Sequence, residues 1–124
     1  MNIIHTVSAP AAIGPYSQAI QAGNTVYVSG QLPIDPATGA FAGADIAAQT
    51  RQSLTNIRSI LAGAGYSMTD VVKTTVLLAD IADFAAMNAV YAEFFTAPFP
   101  ARAAFQVAAL PKNALVEIEC VAVK

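Results

Sequence analysis

The 124-residue sequence predicts an α+β domain: a single six-stranded mixed sheet with two helices on one face. Three observations lead there. Apolar residues recur at helical spacing in two windows, 46–64 and 84–94. Six runs of strand-like composition surround those windows. The resulting order, three strands, helix, strand, helix, two strands, is not a regular βαβ alternation, so the helices gather on one side of the sheet. Repeats, linkers and low-complexity stretches are absent, and one domain is expected over 1–124.

Ile3 to Val7 reads as an edge strand closed by Ser8-Ala9-Pro10. Ala11 to Pro15 is loop, with Gly14-Pro15 as the turn signal. Tyr16–Ala22 and Thr25–Ser29, separated by Gly23-Asn24, predict a hairpin. Residues 30–43 hold Pro33, Pro36 and Gly39 and are loop. Asp45 is placed to cap a helix whose buried stripe is Ile46, Thr50, Leu54, Ile57, Leu61 and Ala64, with Gly63 and Gly65 at its end. Val71–Ala79 is a long strand. Asp80 and Asp83 open a second helix, where acid suits the macrodipole, and Phe84, Met87, Tyr91 and Phe94 mark its apolar stripe. Pro98 and Pro100 stop it. Residues 101–107 and Val116–Val123 are the closing strands, joined through Pro111-Lys112-Asn113.

Only 11% of the residues are charged, against roughly 25% in ordinary domains. The apolar share is 56%, but 27 residues are alanine, so the excess is small side chains. A net charge of −2 without a Lys/Arg run or a Trp argues against nucleic-acid binding. The lone Cys120 cannot close an internal disulfide and suits a reducing compartment. The first ten residues lack a basic start and an apolar run, and Lys73, Asp80 and Asp83 interrupt the most apolar region. A cytoplasmic protein with no membrane contact is the expectation.

Two helices cover one face of six strands, yet several strands are apolar on both. In 71–79, Val72, Val76 and Leu78 form one row and Val71, Leu77 and Ala79 the other. In 116–123, Val116, Ile118, Cys120 and Ala122 form one row, and Val121 and Val123 share the second with Glu117 and Glu119. An exposed apolar sheet is an association site, so the chain is expected to bind copies of itself.

Arg102 stands in an otherwise small and apolar strand, on the same row as Ala104 and Gln106. A guanidinium there suits a carboxylate anchor with room beside it; the plainer reading is an edge residue whose head reaches water. Glu117 and Glu119 share one face of the last strand. The two closing strands are consecutive, and pairing as a hairpin would bring Arg102 to those glutamates, either as a plain ion pair or as a site. Tyr16, Ser29-Gly30 and Asn88 are polar punctuation whose plain readings are a half-buried ring, a turn and a solvated helix position. His5 is isolated, and Cys120 packs as a small hydrophobe. No metal-ligand spacing, GxGxxG or Walker sequence occurs.

Several of these stretches together carry a resemblance: Gly14-Pro15-Tyr16-Ser17-Gln18-Ala19, Val28-Ser29-Gly30-Gln31-Leu32-Pro33, Gln49 to Asn56, Pro100-Ala101-Arg102, Leu110-Pro111-Lys112 and Val116-Glu117-Ile118-Glu119. Over essentially its whole length the chain resembles the Rid family, the reactive-intermediate deaminases also called YjgF-like. The resemblance implies a chorismate-mutase-like fold assembled as a homotrimer with a site in each cleft between subunits. It implies hydrolysis of 2-imino or enamine acids, such as 2-iminopropanoate and 2-iminobutanoate, to 2-oxo acids and ammonia without a cofactor or metal. By position, Arg102 would hold the carboxylate and Glu117 the attacking water. Tyr16, Ser29 and the Gly30 backbone would line the pocket, with Asn88 near the cleft. Many members carry Cys where this chain has Ala104, which excludes a thiol there and leaves substrate preference open. Two other readings stand beside this one: a regulatory trimer that binds a 2-oxo acid without turnover, and a ribonuclease, against which the acidic composition speaks.

Overall fold

The computed structural model describes residues 1–124. Strands β1 (Asn2–Ile4), β2 (Ala19–Ala22), β3 (Thr25–Gln31), β4 (Val71–Leu78), β5 (Ala101–Gln106) and β6 (Val116–Val123) form one sheet in the order β1-β2-β3-β6-β4-β5. All neighbours are antiparallel except β4 and β5, so the sheet is mixed. Helices α1 (Ile46–Gly63) and α2 (Phe84–Phe94) pack against each other, with α1 against β3 and β6. The core lies between them and the sheet, built from Leu54, Ile57, Met87, Val28, Val76 and Ile118 among others.

Helix α1 starts where Asp45 Oδ1 accepts the Ala48 amide at 2.7 Å, which satisfies one of the helix's free N–H groups. After Gly63 the chain turns through Gly65, whose φ of +78° favours glycine. The face of α1 toward the core is partly polar. Gln49 donates to the Gly43 carbonyl at 3.0 Å and accepts from the Leu115 amide at 2.8 Å. Asn56 donates to the carbonyls of Leu32 and Ile34 at 3.2 and 2.9 Å. These side chains tie the 32–43 loop and the start of β6 to the helix. A 3-10 turn, Ile81–Asp83, precedes α2, and Asp80 accepts from the Ala82 amide at 2.9 Å.

The first two strands are shorter than their composition predicts. β1 ends at Ile4 instead of Val7, and β2 begins at Ala19 instead of Tyr16. Gln18 is the reason. Its buried side chain accepts from the Thr6 amide at 2.8 Å and donates to the carbonyls of Thr6 and Pro10 at 3.0 and 2.8 Å. Those bonds take backbone groups that a longer ladder would use.

The closing strands do not pair as a hairpin. β6 lies between β3 and β4, and β5 pairs in parallel with β4, across the α2 crossover, at the sheet edge. The rows of β4 also differ from strict alternation. A bulge between Val71 and Lys73 adds a residue, so Val71 is buried with Thr74, Val76 and Leu78 while Val72 faces water. The β6 rows are as predicted: Val116, Ile118, Cys120 and Ala122 are buried and Glu117, Glu119, Val121 and Val123 face the other way. The helix-free face exposes Tyr27, Phe105 and Val123 by 43–53%. No helix is long and apolar enough to cross a membrane.

Candidate functional site

The open face holds a cleft of about 580 Å3 where β3 and β6 meet. Tyr16, Ser29, Gly30 and Glu117 all line it, together with Glu119 and Lys112. Four of the predicted residues are therefore brought together within one chain.

Each is positioned by its element. The ladder between β3 and β6 shifts register between Val28 and Gln31, and Ser29-Gly30 lies in that irregularity. The Ser29 amide donates to the Gln18 carbonyl at 3.0 Å, and its hydroxyl donates to the Ser17 carbonyl at 2.6 Å. Gly30 offers no side chain, and the Glu117 carboxylate occupies the space that leaves. Burial raises the Glu117 carboxyl above the ordinary carboxylate range, and the charge of Glu119, two residues along the same face, adds to it. Glu117 has no ion-pair partner, since the one salt bridge of the chain joins Arg51 to Glu93. The wall opposite comes from loops. Gln18 pins the segment that presents Pro10, Ala11 and Ile13. Lys112 and Asn113 adopt left-handed backbone, φ 57° and 58°, and carry Lys112 to the cleft. Two such non-glycine residues in succession cost of order 1–3 kcal/mol each.

Arg102 is elsewhere. It pairs in register with Thr74, and Thr74 with the buried Cys120, so it belongs to the helix face at the β5 edge. Glu117 pairs with Leu77 and Phe105 on the opposite face. Within one chain the sheet separates the two. The guanidinium instead lies over the rings of Tyr91 and Phe84, 4.8 and 5.5 Å from their centroids, and donates to Asn88 Oδ1 at 2.7 Å. Tyr91 is fixed in turn by a 2.7 Å bond between its hydroxyl and Thr74 Oγ1. Its phenol is raised by burial, partly offset by that bond and by the Arg102 charge. No carboxylate lies within salt-bridge distance of Arg102. The plain Arg–Glu ion pair, one of the two readings of these residues, is thus absent, and the cation is held in an aromatic cradle without a counter-ion. Ala104 follows on the same face, half-buried against the core.

The sequence reading missed the cradle. Phe84 and Tyr91 stood out as an apolar stripe, but nothing in a stripe says that an arginine from another strand will lie across it. Lys112 stands in the sequence as part of a turn and of the Leu110-Pro111-Lys112 stretch, and neither pattern marks it as a cleft residue. The buried Cys120 thiol is pushed up to about 12, chiefly by burial, and is inert. No cluster of three potential metal-binding side chains exists.

The family model described as Endoribonuclease L-PSP matches residues 6–124. A protein of Bos taurus named 2-iminobutanoate/2-iminopropanoate deaminase is 57% identical over 123 residues, 99% of this chain and 90% of that one. A crystal structure described as a putative endoribonuclease from Thermotoga maritima superposes with a TM-score of 0.97 at 45% identity, covering 100% of this chain and 98% of that one. TdcF of E. coli, solved with bound serine, gives a TM-score of 0.96 at 46% identity, covering 100% and 99%.

Proposed function

The chain belongs to the Rid family, the family of that Endoribonuclease L-PSP model, and from that premise we propose that it hydrolyses small 2-imino acids to 2-oxo acids and ammonia. 2-Iminopropanoate and 2-iminobutanoate are the proposed substrates, and the proposed form is a homotrimer. The observation that carries the reading is the separation of Arg102 from Glu117. A cation without a counter-ion at one edge and a half-buried carboxylate on the opposite face are two halves of a site. A second copy docked on the open face joins Arg102 of one protomer to the Tyr16–Ser29–Glu117 cleft of its partner. The exposed Tyr27, Phe105 and Val123 supply apolar surface for that contact.

In this reading Arg102 grips the substrate carboxylate with two parallel charge-assisted bonds. Tyr91 and Phe84 hold the guanidinium plane, and Asn88 fixes its rotation. The carboxylate anchor sets C2 of the substrate against a water held by Glu117. Glu117 takes a proton as the water oxygen bonds to C2, the C=N electron pair moves to nitrogen, and that nitrogen receives the proton Glu117 took. Collapse of the carbinolamine moves the hydroxyl proton to nitrogen, by way of Glu117, breaks the C2–N bond, and leaves ammonia and the 2-oxo acid. The imine is reactive already, so a barrier reduction of about several kcal/mol suffices. No residue of the cleft is required to bind a metal or cofactor for this chemistry. A phosphate backbone, by contrast, would meet Glu117 and Glu119 with only Lys112 to offset them, which disfavours RNA as the substrate.

The test is release of 2-oxobutanoate and ammonia from 2-iminobutanoate generated in place by a threonine dehydratase. The wild-type protein should accelerate it, and Arg102→Ala should not while keeping its fold and assembly. Wild-type rates in Arg102→Ala would remove the anchor role.

A further inference from the structure

We infer that the Ser29 hydroxyl accepts a hydrogen bond from the substrate's nitrogen, so that the cleft selects a C=N–H group over a C=O group. The inference rests on the imine reading above and goes beyond it by naming which end of the substrate Ser29 touches. It follows from hydrogen-bond directions. A serine hydroxyl has one proton. Here the partner at 2.6 Å is the Ser17 carbonyl, which cannot donate, so the proton points to Ser17. The Ser29 amide proton is likewise committed, to the Gln18 carbonyl, and the Ser29 carbonyl already accepts from Gln31 Nε2 at 3.2 Å. What Ser29 has left for the cleft is lone pairs on Oγ. Its neighbours in the cleft, Glu117 and Glu119, have no proton to donate once ionised and then only accept. Of the side-chain donors in the same cleft, Gln31 is committed to the Ser29 carbonyl, Tyr16 comes from the loop before β2 and Lys112 from the 3-10 turn Pro111–Asn113.

A ligand atom bonded to both the Ser29 hydroxyl and the ionised Glu117 carboxylate must therefore bring protons. The imine nitrogen brings one, or two when protonated, and the attacking water brings two. The oxygen of a 2-oxo acid brings none and would set lone pair against lone pair. The same wall thus holds the substrate and loosens the product once C–N is replaced by C=O, while Arg102 treats both carboxylates alike.

The experiment titrates L-2-aminobutanoate, which has N–H groups, and 2-oxobutanoate, which has none, into wild-type protein, Ser29→Ala and Ser29→Cys. The cysteine variant keeps the side chain's shape and a weak donor for Ser17 but is a poor acceptor, and so guards against a folding defect in the alanine variant. Both variants should weaken aminobutanoate by about tenfold, the usual worth of a bond to a charged donor, and leave 2-oxobutanoate unchanged or tighter. A loss of equal size for the two ligands, or a loss for neither, overturns the inference. If wild-type protein leaves 2-iminobutanoate to its spontaneous hydrolysis, it is the deaminase reading that fails, and the ligand contrast still reads the Ser29 contact separately.

Discussion

A methyl group on Gly30 would stand 2.7 Å from Oε2 of Glu117 and 3.0 Å from its Cδ. The glycine is required by space, not by backbone conformation, since its φ is not in the left-handed region. Gly30→Ala should push the carboxylate off β3 with little damage to the fold, because the atoms in the way are the free end of a side chain. A misplacement on the order of 1 Å costs about a hundredfold in rate. We therefore expect kcat/KM to fall about a hundredfold, with stability within about 1 kcal/mol of wild type. Equal activity in this variant would show that the carboxylate position is unimportant.

Tyr91 serves Arg102 with its ring and Thr74 with its hydroxyl, and two substitutions separate these roles. Tyr91→Phe keeps the ring but leaves the buried Thr74 hydroxyl without its partner. It should cost about 1–3 kcal/mol of stability and leave KM near wild type. Tyr91→Leu removes the ring face as well and should raise KM severalfold, in line with a cation–π contact of about 1 kcal/mol. Steady-state kinetics beside chemical denaturation decide it. A KM change of the same size in both variants would mean that the ring does not position the guanidinium.

The raised Glu117 carboxyl has a consequence for stability against pH. A folded-state pKa above the unfolded one gives a contribution that is complete below the unfolded value and is lost as pH rises through the folded value. At neutral pH the ionised carboxylate is thus a burden on the fold, placed there by burial and by Glu119. Glu117→Gln should melt at or above the wild-type temperature at pH 7, and the difference should shrink toward pH 4. The same variant should lose turnover while still binding 2-oxobutanoate, which separates an enzyme from a passive binding protein. A Glu117→Gln protein that is less stable at pH 7, or one that turns over normally, would contradict the account.

Much of the local structure was legible from residue order. The Asp45 cap, the α1 stripe and the two rows of β6 follow from periodicities and side-chain chemistry that act within a few residues. The open sheet face was also legible, because two helices cannot cover both sides. Strand order was not. β6 inserts between β3 and β4, a choice made by contacts far apart in sequence, and it moved Arg102 to the edge and to the opposite face from Glu117. The single extra residue at Val71–Lys73 reversed the assignment of Val71 and Val72, since a bulge leaves no mark in composition. Tyr16, Ser29, Gly30 and Glu117 meet in one cleft because β3 and β6 are neighbours, and the aromatic cradle of Arg102 depends on Phe84 and Tyr91 of α2 meeting β5, which no local pattern encodes.

The central claim is that Arg102 and Glu117 act together from different chains, and mixing two dead variants measures it most directly. Arg102→Ala and Glu117→Gln are each unfolded, combined in equal amounts and refolded together. Random assembly of closed rings then builds sites with an intact Arg102 from one variant and an intact Glu117 from the other. The account predicts recovery of about a quarter of the wild-type deaminase activity, as that statistics requires. If the mixture stays as inactive as its parents although it assembles, both residues serve within one chain and the composite site is wrong.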